Sequence, residues 1–217
     1  MATIEKQVQQ RSPEKRFVLR GVSWELYEAL RDNEANNHVR MTYDQGTLEM
    51  MSPSDEHEWV KRLIGRMIEA ITEELRIPVR SLSATTWRRR DIDKGLEADE
   101  CYYIRSHPRI SGRKRIDLAR DPPPDLALEV VVTHGDVDKM AIYAALGVSE
   151  VWQWHDDLLQ GFSLGADGLY APSEFSLNLP MLRINELEQF LDWELADDES
   201  AWIRSFRAWV RERFEKQ

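Results

Sequence analysis

The sequence predicts an α/β fold in which a buried sheet carries helices, and three stretches of the chain predict it. From Leu126 to Val132 six of seven residues are apolar, without the alternation of a half-wet strand, so this run reads as a strand covered on both faces. A polar bend at Thr133–Asp136, a short helix over Val137–Leu146 stopped by Gly147, and a second apolar strand over Val148–Trp154 complete a βαβ unit. Its two strands run parallel and close together. Upstream, Val60, Leu63, Ile64, Met67, Ile68, Ile71 and Leu75 recur at helical period, which lays a long helix against that sheet.

Taken in order, residues 1–16 are expected to form a flexible segment and 17–217 a single domain with a C-terminal helical extension, since a chain of 217 residues buries one sizeable core. Ser23 caps a short helix over Trp24–Leu30, with Trp24, Tyr27 and Leu30 on one face. Val39, Met41 and Tyr43 alternate up to the turn Asp44-Gln45-Gly46, and Leu48 and Met50 resume the alternation, which is a hairpin. Glu49 falls on the opposite face, either as a solvated strand residue or as a carboxylate turned toward a site under the long helix. That helix opens at Pro53, Ser54 and Asp55, where Asp55 with Glu58 fits a capping box and Ser54 is a competing cap. Residues 79–90 read as one strand ending in Arg88, Arg89 and Arg90, and Glu100–Ile104 as another with Glu97 and Asp99 at its mouth. Ser106–Arg120 is a basic excursion between strands. Leu158–Leu164 and Leu169–Tyr170 make small antiparallel strands, a brief helix runs from Asn185 to Leu191, and a last helix over Asp198–Phe214 carries Trp202, Phe206, Trp209 and Val210 on one face.

A net charge of -10 argues against a protein that coats nucleic acid by bulk attraction and leaves room for a local basic patch. The single cysteine, Cys101, rules out an internal disulfide framework, and its aromatic neighbours mark a buried thiol. A charged N-terminus without an apolar core, and no run of bilayer-spanning length, point to a cytoplasmic protein with no membrane partner. There is no glycine-rich phosphate loop, paired-cysteine zinc pattern, serine elbow or helix-turn-helix string.

The chemistry gathers at the exit of the first buried strand. Glu129 interrupts its apolar run, and a carboxylate there loses its hydration and needs a cation, a hydrogen-bond donor or a metal ion. The turn brings Asp136, Asp138 and Lys139 to the same end. One reading is an ion-pair network that anchors the helix, with Asp138 at its N-terminus. The other is a metal site in which Glu129 is a ligand and Lys139 steadies a water or a phosphate. Asp99, 30 residues before Glu129, is a second carboxylate offered by a strand, and His57 at the margin of the long helix is either a core histidine or a ligand and proton carrier. Oxygen donors without a Cys/His cluster favour Mg²⁺ or Mn²⁺. Arg88, Arg89 and Arg90 beside Trp87, together with Arg113, Lys114 and Arg115, form either a solvated charge run or a set of phosphate-backbone contacts.

Three strings, MTYDQGTLEMMSPSDEHE at 41–58, EADECYYI at 97–104 and PPPDLALEVVVTHGDVDKMAIYAALGVSEVW at 122–152, resemble the Uma2 family (DUF820) of the PD-(D/E)XK, restriction-endonuclease-like superfamily. The resemblance runs from near Gly21 to near Phe190. It implies a restriction-endonuclease-like mixed β-sheet flanked by helices, with an αβββαβ core and a divalent-metal nuclease centre. Residue by residue it sets Asp99 as the strand-entry aspartate, Glu129 as the glutamate, Lys139 as the lysine moved from strand to helix, and His57 as the histidine of the first core helix. The sequence departs from the strict E-x-K string, because position 131 is Val131. The implied activity is hydrolysis of phosphodiester bonds, in DNA by preference, with Asp99 and Glu129 holding Mg²⁺ or Mn²⁺. The alternative is a catalytically degenerate module of the same fold that binds nucleic acid or a protein. A duplex cutter with one such centre works as a homodimer, and the aromatics around Trp152 and in the last helix are the expected interface.

Overall fold

Short strands of alternating residues and one long amphipathic helix sort this chain into two sheets that meet at Asp99. The computed structural model describes residues 14–214. In chain order the elements are β1 (Lys15–Arg20), α1 (Trp24–Arg31), β2 (Arg40–Asp44), β3 (Thr47–Ser52), α2 (Asp55–Glu74), β4 (Arg80–Ser83), β5 (Thr86–Arg89), β6 (Lys94–Glu97), β7 (Glu100–Tyr103) and α3 (His107–Ile110). There follow β8 (Leu126–Val131), α4 (Lys139–Leu146), β9 (Glu150–His155), β10 (Leu158–Leu164), β11 (Tyr170–Ser173) and α5 (Glu199–Phe214). One sheet has the order β1-β3-β2-β6-β5 and the other β11-β10-β9-β8-β7-β4. Every pairing is antiparallel except β8 with β9, which is the parallel pair of the βαβ unit. Within the second sheet, α2, β4, β7, β8, α4 and β9 make up the αβββαβ core.

The two faces of β8 explain its nearly unbroken hydrophobicity. Leu126, Leu128 and Val130 point to the layer formed by α2 and α5, where they pack with Leu63, Ile64, Met67, Trp152 and Phe206. Ala127 points the other way, into the layer of α4 with Ile142, Tyr143 and Leu146. Glu129 shares the parity of Ala127, so its side chain emerges under α4. The first sheet has its own smaller core of Val22, Trp24, Tyr27, Met41, Tyr43 and Leu48, in which the Tyr27 and Tyr43 rings stack at 4.8 Å.

Several expectations are corrected. The run 79–90 is two strands in different sheets, not one, because the chain turns at Ala84, whose φ of 43° is left-handed. The chain crosses between sheets a second time between β6 and β7, and the Ala84 N–H to Asp99 carbonyl (3.1 Å) and Ala98 N–H to Thr85 carbonyl (3.2 Å) bonds stitch the two crossings together. The expected flexible segment lies outside the described residues up to position 13. From 14 to 16 it is structured, since Glu14 is buried and Lys15 and Arg16 open β1, which pairs along its whole length with β3. Ser54, not Asp55, caps α2, accepting the His57 N–H at 3.2 Å. The brief helix is a 3₁₀ stretch over Ile184–Phe190. Trp152, Trp202 and Phe206 are buried in the protein's own core, so they offer no surface to a second copy. Among the described residues no helix is long and apolar enough to cross a membrane.

Candidate active site

Strand parity and one helical cap assemble the centre. Glu129 projects from the middle of β8 toward α4, whose first residue is Lys139. Asp138 caps that helix by accepting the Ala141 N–H at 3.0 Å, which fixes the helix start and with it the direction of Lys139. Lys139 Nζ donates to Glu129 Oε2 at 2.6 Å, and the Tyr143 hydroxyl, one helical turn on, donates to Oε1. Asp99 sits where the chain passes between the sheets. Its Oδ2 accepts the Val130 N–H at 2.9 Å, placing the carboxylate beside the peptide that follows Glu129, and its Oδ1 is 2.9 Å from His57 Nε2. His57, Asp99, Glu129 and Lys139 thus belong to one cluster, the first three buried and Lys139 half-buried. Glu129 and Lys139 line a cavity of about 200 Å³, which the fully buried Asp99 and His57 do not line.

The structure adds residues that the sequence pattern hid. Glu14 Oε1 is 2.7 Å from His57 Nδ1, so the imidazole is held between two carboxylates. Arg16 on β1 donates to Glu14 Oε2 at 2.6 Å, to Glu49 Oε1 at 2.5 Å and to Thr133 Oγ1 at 3.2 Å. Glu49 is buried and turned toward the site rather than solvated, and Thr133 and Tyr143 complete the shell. Nothing local announces Glu14 or Arg16, since both fall in a charged stretch that reads as solvent-facing.

Other candidates lie apart. The Asp136 side chain is exposed and lies 4.0 Å from Arg20, although its main-chain N–H bonds to Glu49. Asp138 serves as the helix cap. Arg88 is paired with Asp32 at 3.0 Å, Arg89 with Asp91, and Arg90 with Glu25, so an acid already faces each arginine of that run. Arg113 pairs with Asp121 at 3.1 Å, and Lys114 and Arg115 are exposed beside it.

Burial works against the charges of Glu14, His57, Asp99, Glu129 and Lys139, and the neighbours decide the outcome. It disfavours ionisation of Glu14, but hydrogen bonds from His57, Thr133 and Arg16 and the Arg16 charge bring that carboxyl down to about 2. It disfavours the His57 cation, but Asp99 and Glu14 push the imidazole up to about 9. Asp99 is held well below the ordinary carboxylate range against the same penalty, chiefly by His57 and then by Lys139. Burial raises Glu129, opposed by Lys139 and assisted by Asp99. Lys139 loses hydration but is held cationic by Glu129 and Asp99.

These directions fix how stability depends on pH in the metal-free protein. Glu14, lowered from 4.5 to about 2, contributes stability that is present above 4.5 and lost as pH falls through that window. His57, raised from 6.5 to about 9, contributes stability that is present below 6.5 and lost as pH rises toward 9. The two share one ion pair and are not summed; the His57 shift corresponds to about 3 kcal/mol. Thermal melts are expected to show the highest Tm between these windows, and His57→Gln should flatten the alkaline limb. An alkaline limb unchanged in that variant would assign it to another group.

The resemblance implies a divalent cation, and the donors present suit one. Mg²⁺ is held by one or two carboxylates, with waters and substrate phosphate completing the octahedron. Asp99 and Glu129 supply hard oxygens, each accepting one hydrogen bond per oxygen and keeping lone pairs beyond it. Among the described residues no group of three or more His, Cys, Asp or Glu side chains is arranged to hold a metal.

The Uma2 family model, described as "Putative restriction endonuclease", matches residues 24–198. Among solved structures, a crystal structure described as "a putative nuclease belonging to DUF820" from Anabaena variabilis ATCC 29413 is similar at 13% identity and a TM-score of 0.48, over 78% of this chain and 90% of that one. No curated protein matches the chain. With a family match across residues 24–198, the chain belongs to the Uma2 family, within the PD-(D/E)XK-like restriction-endonuclease superfamily.

Proposed function

We propose that this protein is a divalent-metal-dependent nuclease that hydrolyses phosphodiester bonds, DNA by preference, at the centre formed by Asp99, Glu129 and Lys139. The observation that carries the reading is the Glu129–Lys139 pair at 2.6 Å, in which Glu129 is buried and Lys139 half-buried; the pair lines a cavity and has Asp99 bound to the next peptide unit. Asp99 and Glu129 are the metal ligands in this proposal. A bound Mg²⁺ or Mn²⁺ would polarise the scissile phosphate and lower the pKa of the attacking water. Lys139, kept cationic by Glu129 and Asp99, faces the negative charge that grows on the phosphate in the transition state. His57, fixed from both sides, orients Asp99. Charge supports the reading as well. The carboxylates of Glu14, Glu49, Asp99 and Glu129 exceed the cations Arg16, His57 and Lys139 by one, so a divalent cation and a singly charged phosphodiester together would bring the centre to neutrality.

One observation favours a second reading, in which the module binds without cutting. Every oxygen of Asp99 and Glu129 already accepts a hydrogen bond from the protein, so the centre stands satisfied without a metal. The test is hydrolysis of mixed single- and double-stranded DNA and RNA by the wild type, with and without Mn²⁺ or Mg²⁺, beside a Mn²⁺ titration. Cation-dependent cleavage is expected. Saturable Mn²⁺ binding with no cleavage of any substrate would favour the degenerate module, and no Mn²⁺ binding at all would remove the metal centre.

A further inference from the structure

The cavity bounded by Glu129 and Lys139 has a second wall that the cleavage chemistry leaves unused, made by Arg16, Glu49, Thr133 and Gly135. A carboxylate is held there as an anion receptor holds its guest. Arg16 donates to Glu49 Oε1 at 2.5 Å, and the consecutive main-chain N–H groups of Asp136 and Val137 donate to Oε2 at 2.6 and 3.3 Å. Successive backbone N–H groups joined by a guanidinium are the means by which proteins grip phosphate. The loop closes tightly on its guest: a Cβ on Gly135 would lie 2.6 Å from Glu49 Oε2, so the bare glycine lets the carboxylate sit against the backbone. Host and guest come from different parts of the fold. The receptor belongs to β1 and the loop between β8 and α4, whereas Glu49 reaches in from β3.

We propose that this receptor is a phosphate subsite for a nucleic-acid backbone. Glu49 fills it in the free protein, and a phosphodiester neighbouring the one to be cleaved replaces Glu49 in the complex. The proposal rests on the nuclease reading and names how that site grips its strand. A phosphodiester carries one negative charge, like the carboxylate it displaces, so Arg16 keeps a counter-charge through the exchange. The same cavity holds Lys139, which sets the subsite next to the reacting position.

Calorimetric titration of the metal-free protein with inorganic phosphate tests this, followed by competition with a single-stranded oligodeoxynucleotide. Glu49→Gln removes the charge of the internal guest and keeps an acceptor for the Asp136 N–H. Its affinity for phosphate is expected to exceed that of the wild type about tenfold or more. Adding Arg16→Gln should abolish the gain, adding Lys139→Met should preserve it, and the oligonucleotide should displace phosphate. Should Glu49→Gln fail to fold, Glu49→Asp, which withdraws the carboxylate by one methylene, carries the same expectation. Equal affinity in wild type and variant, a gain that survives loss of Arg16, or a gain that vanishes with Lys139 overturns the subsite. Phosphate binding with which the oligonucleotide does not compete overturns the assignment to a strand and leaves a small-anion site. No cleavage is measured, so failure here leaves the nuclease reading standing, and an inactive wild type leaves the binding result standing.

Discussion

Glu129→Gln is expected to lower Mn²⁺- or Mg²⁺-dependent cleavage by at least about 10²–10³-fold and to weaken Mn²⁺ binding, with little change in Tm. Gln is nearly isosteric, keeps an acceptor for the Tyr143 hydroxyl and removes one buried charge, while Lys139 retains Asp99 as a counter-charge. Lys139→Met should lower cleavage by a similar factor for a different reason, the loss of a positioned cation opposite the reacting phosphate. Its metal affinity should be undiminished, because the ammonium sits on Glu129 Oε2 at 2.6 Å, where it competes with a cation for that oxygen. The pair of variants therefore separates a ligand from an electrostatic group. Mn²⁺ titration alongside single-turnover cleavage reads both, and equal residual cleavage in wild type, Glu129→Gln and Lys139→Met would place the activity outside this centre.

His57→Ala should have the largest effect on folding. The imidazolium lies between Glu14 at 2.7 Å and Asp99 at 2.9 Å, and all three side chains are withdrawn from water. Removing it leaves two buried carboxylates facing a void, and breaking a buried pair in this way costs about 3–5 kcal/mol, or a fall in Tm of about 6–20 °C for a chain of this size. Denaturant melts at pH near 6 are the measurement. A loss under about 1 kcal/mol would mean that water or a side-chain shift satisfies both carboxylates.

The parts of this molecule that were legible in its sequence are those whose environment is set locally. β8 could be read because burial on both faces leaves no polar alternation, and α4 because Asp138 and Gly147 bracket it with a cap and a left-handed stop at φ 82°. Glu129 stood out as a charge inside such a strand. Burial alone does not mark chemistry, however. Glu150 on the neighbouring strand is equally buried and passed unnoticed, and it is satisfied by the Trp152 indole at 2.8 Å and the N–H groups of Leu177 and Asn178 at 3.0 Å. Among the described residues no cation pairs with it, and it anchors a loop. The division into two sheets was not legible, because the strand-like pattern of 79–90 runs straight through Ala84, and the crossings are fixed by bonds of Ala84 to Asp99 and of Ala98 to Thr85. Glu14 and Arg16 were hidden for the same reason. Their partners lie 43 residues away at His57 and 117 away at Thr133, so no window of the sequence holds both halves of the interaction.

The central claim is that Asp99 and Glu129 share one divalent cation beside Lys139, and a crystal structure of the protein grown with Mn²⁺ tests it most directly through the anomalous signal of the ion. The account predicts one strong peak bonded to an oxygen of each carboxylate at about 2.1 Å, with Lys139 turned from Glu129 toward the open side of the cavity. A fully loaded crystal with no peak between these carboxylates, and with Lys139 still seated on Glu129, would contradict it.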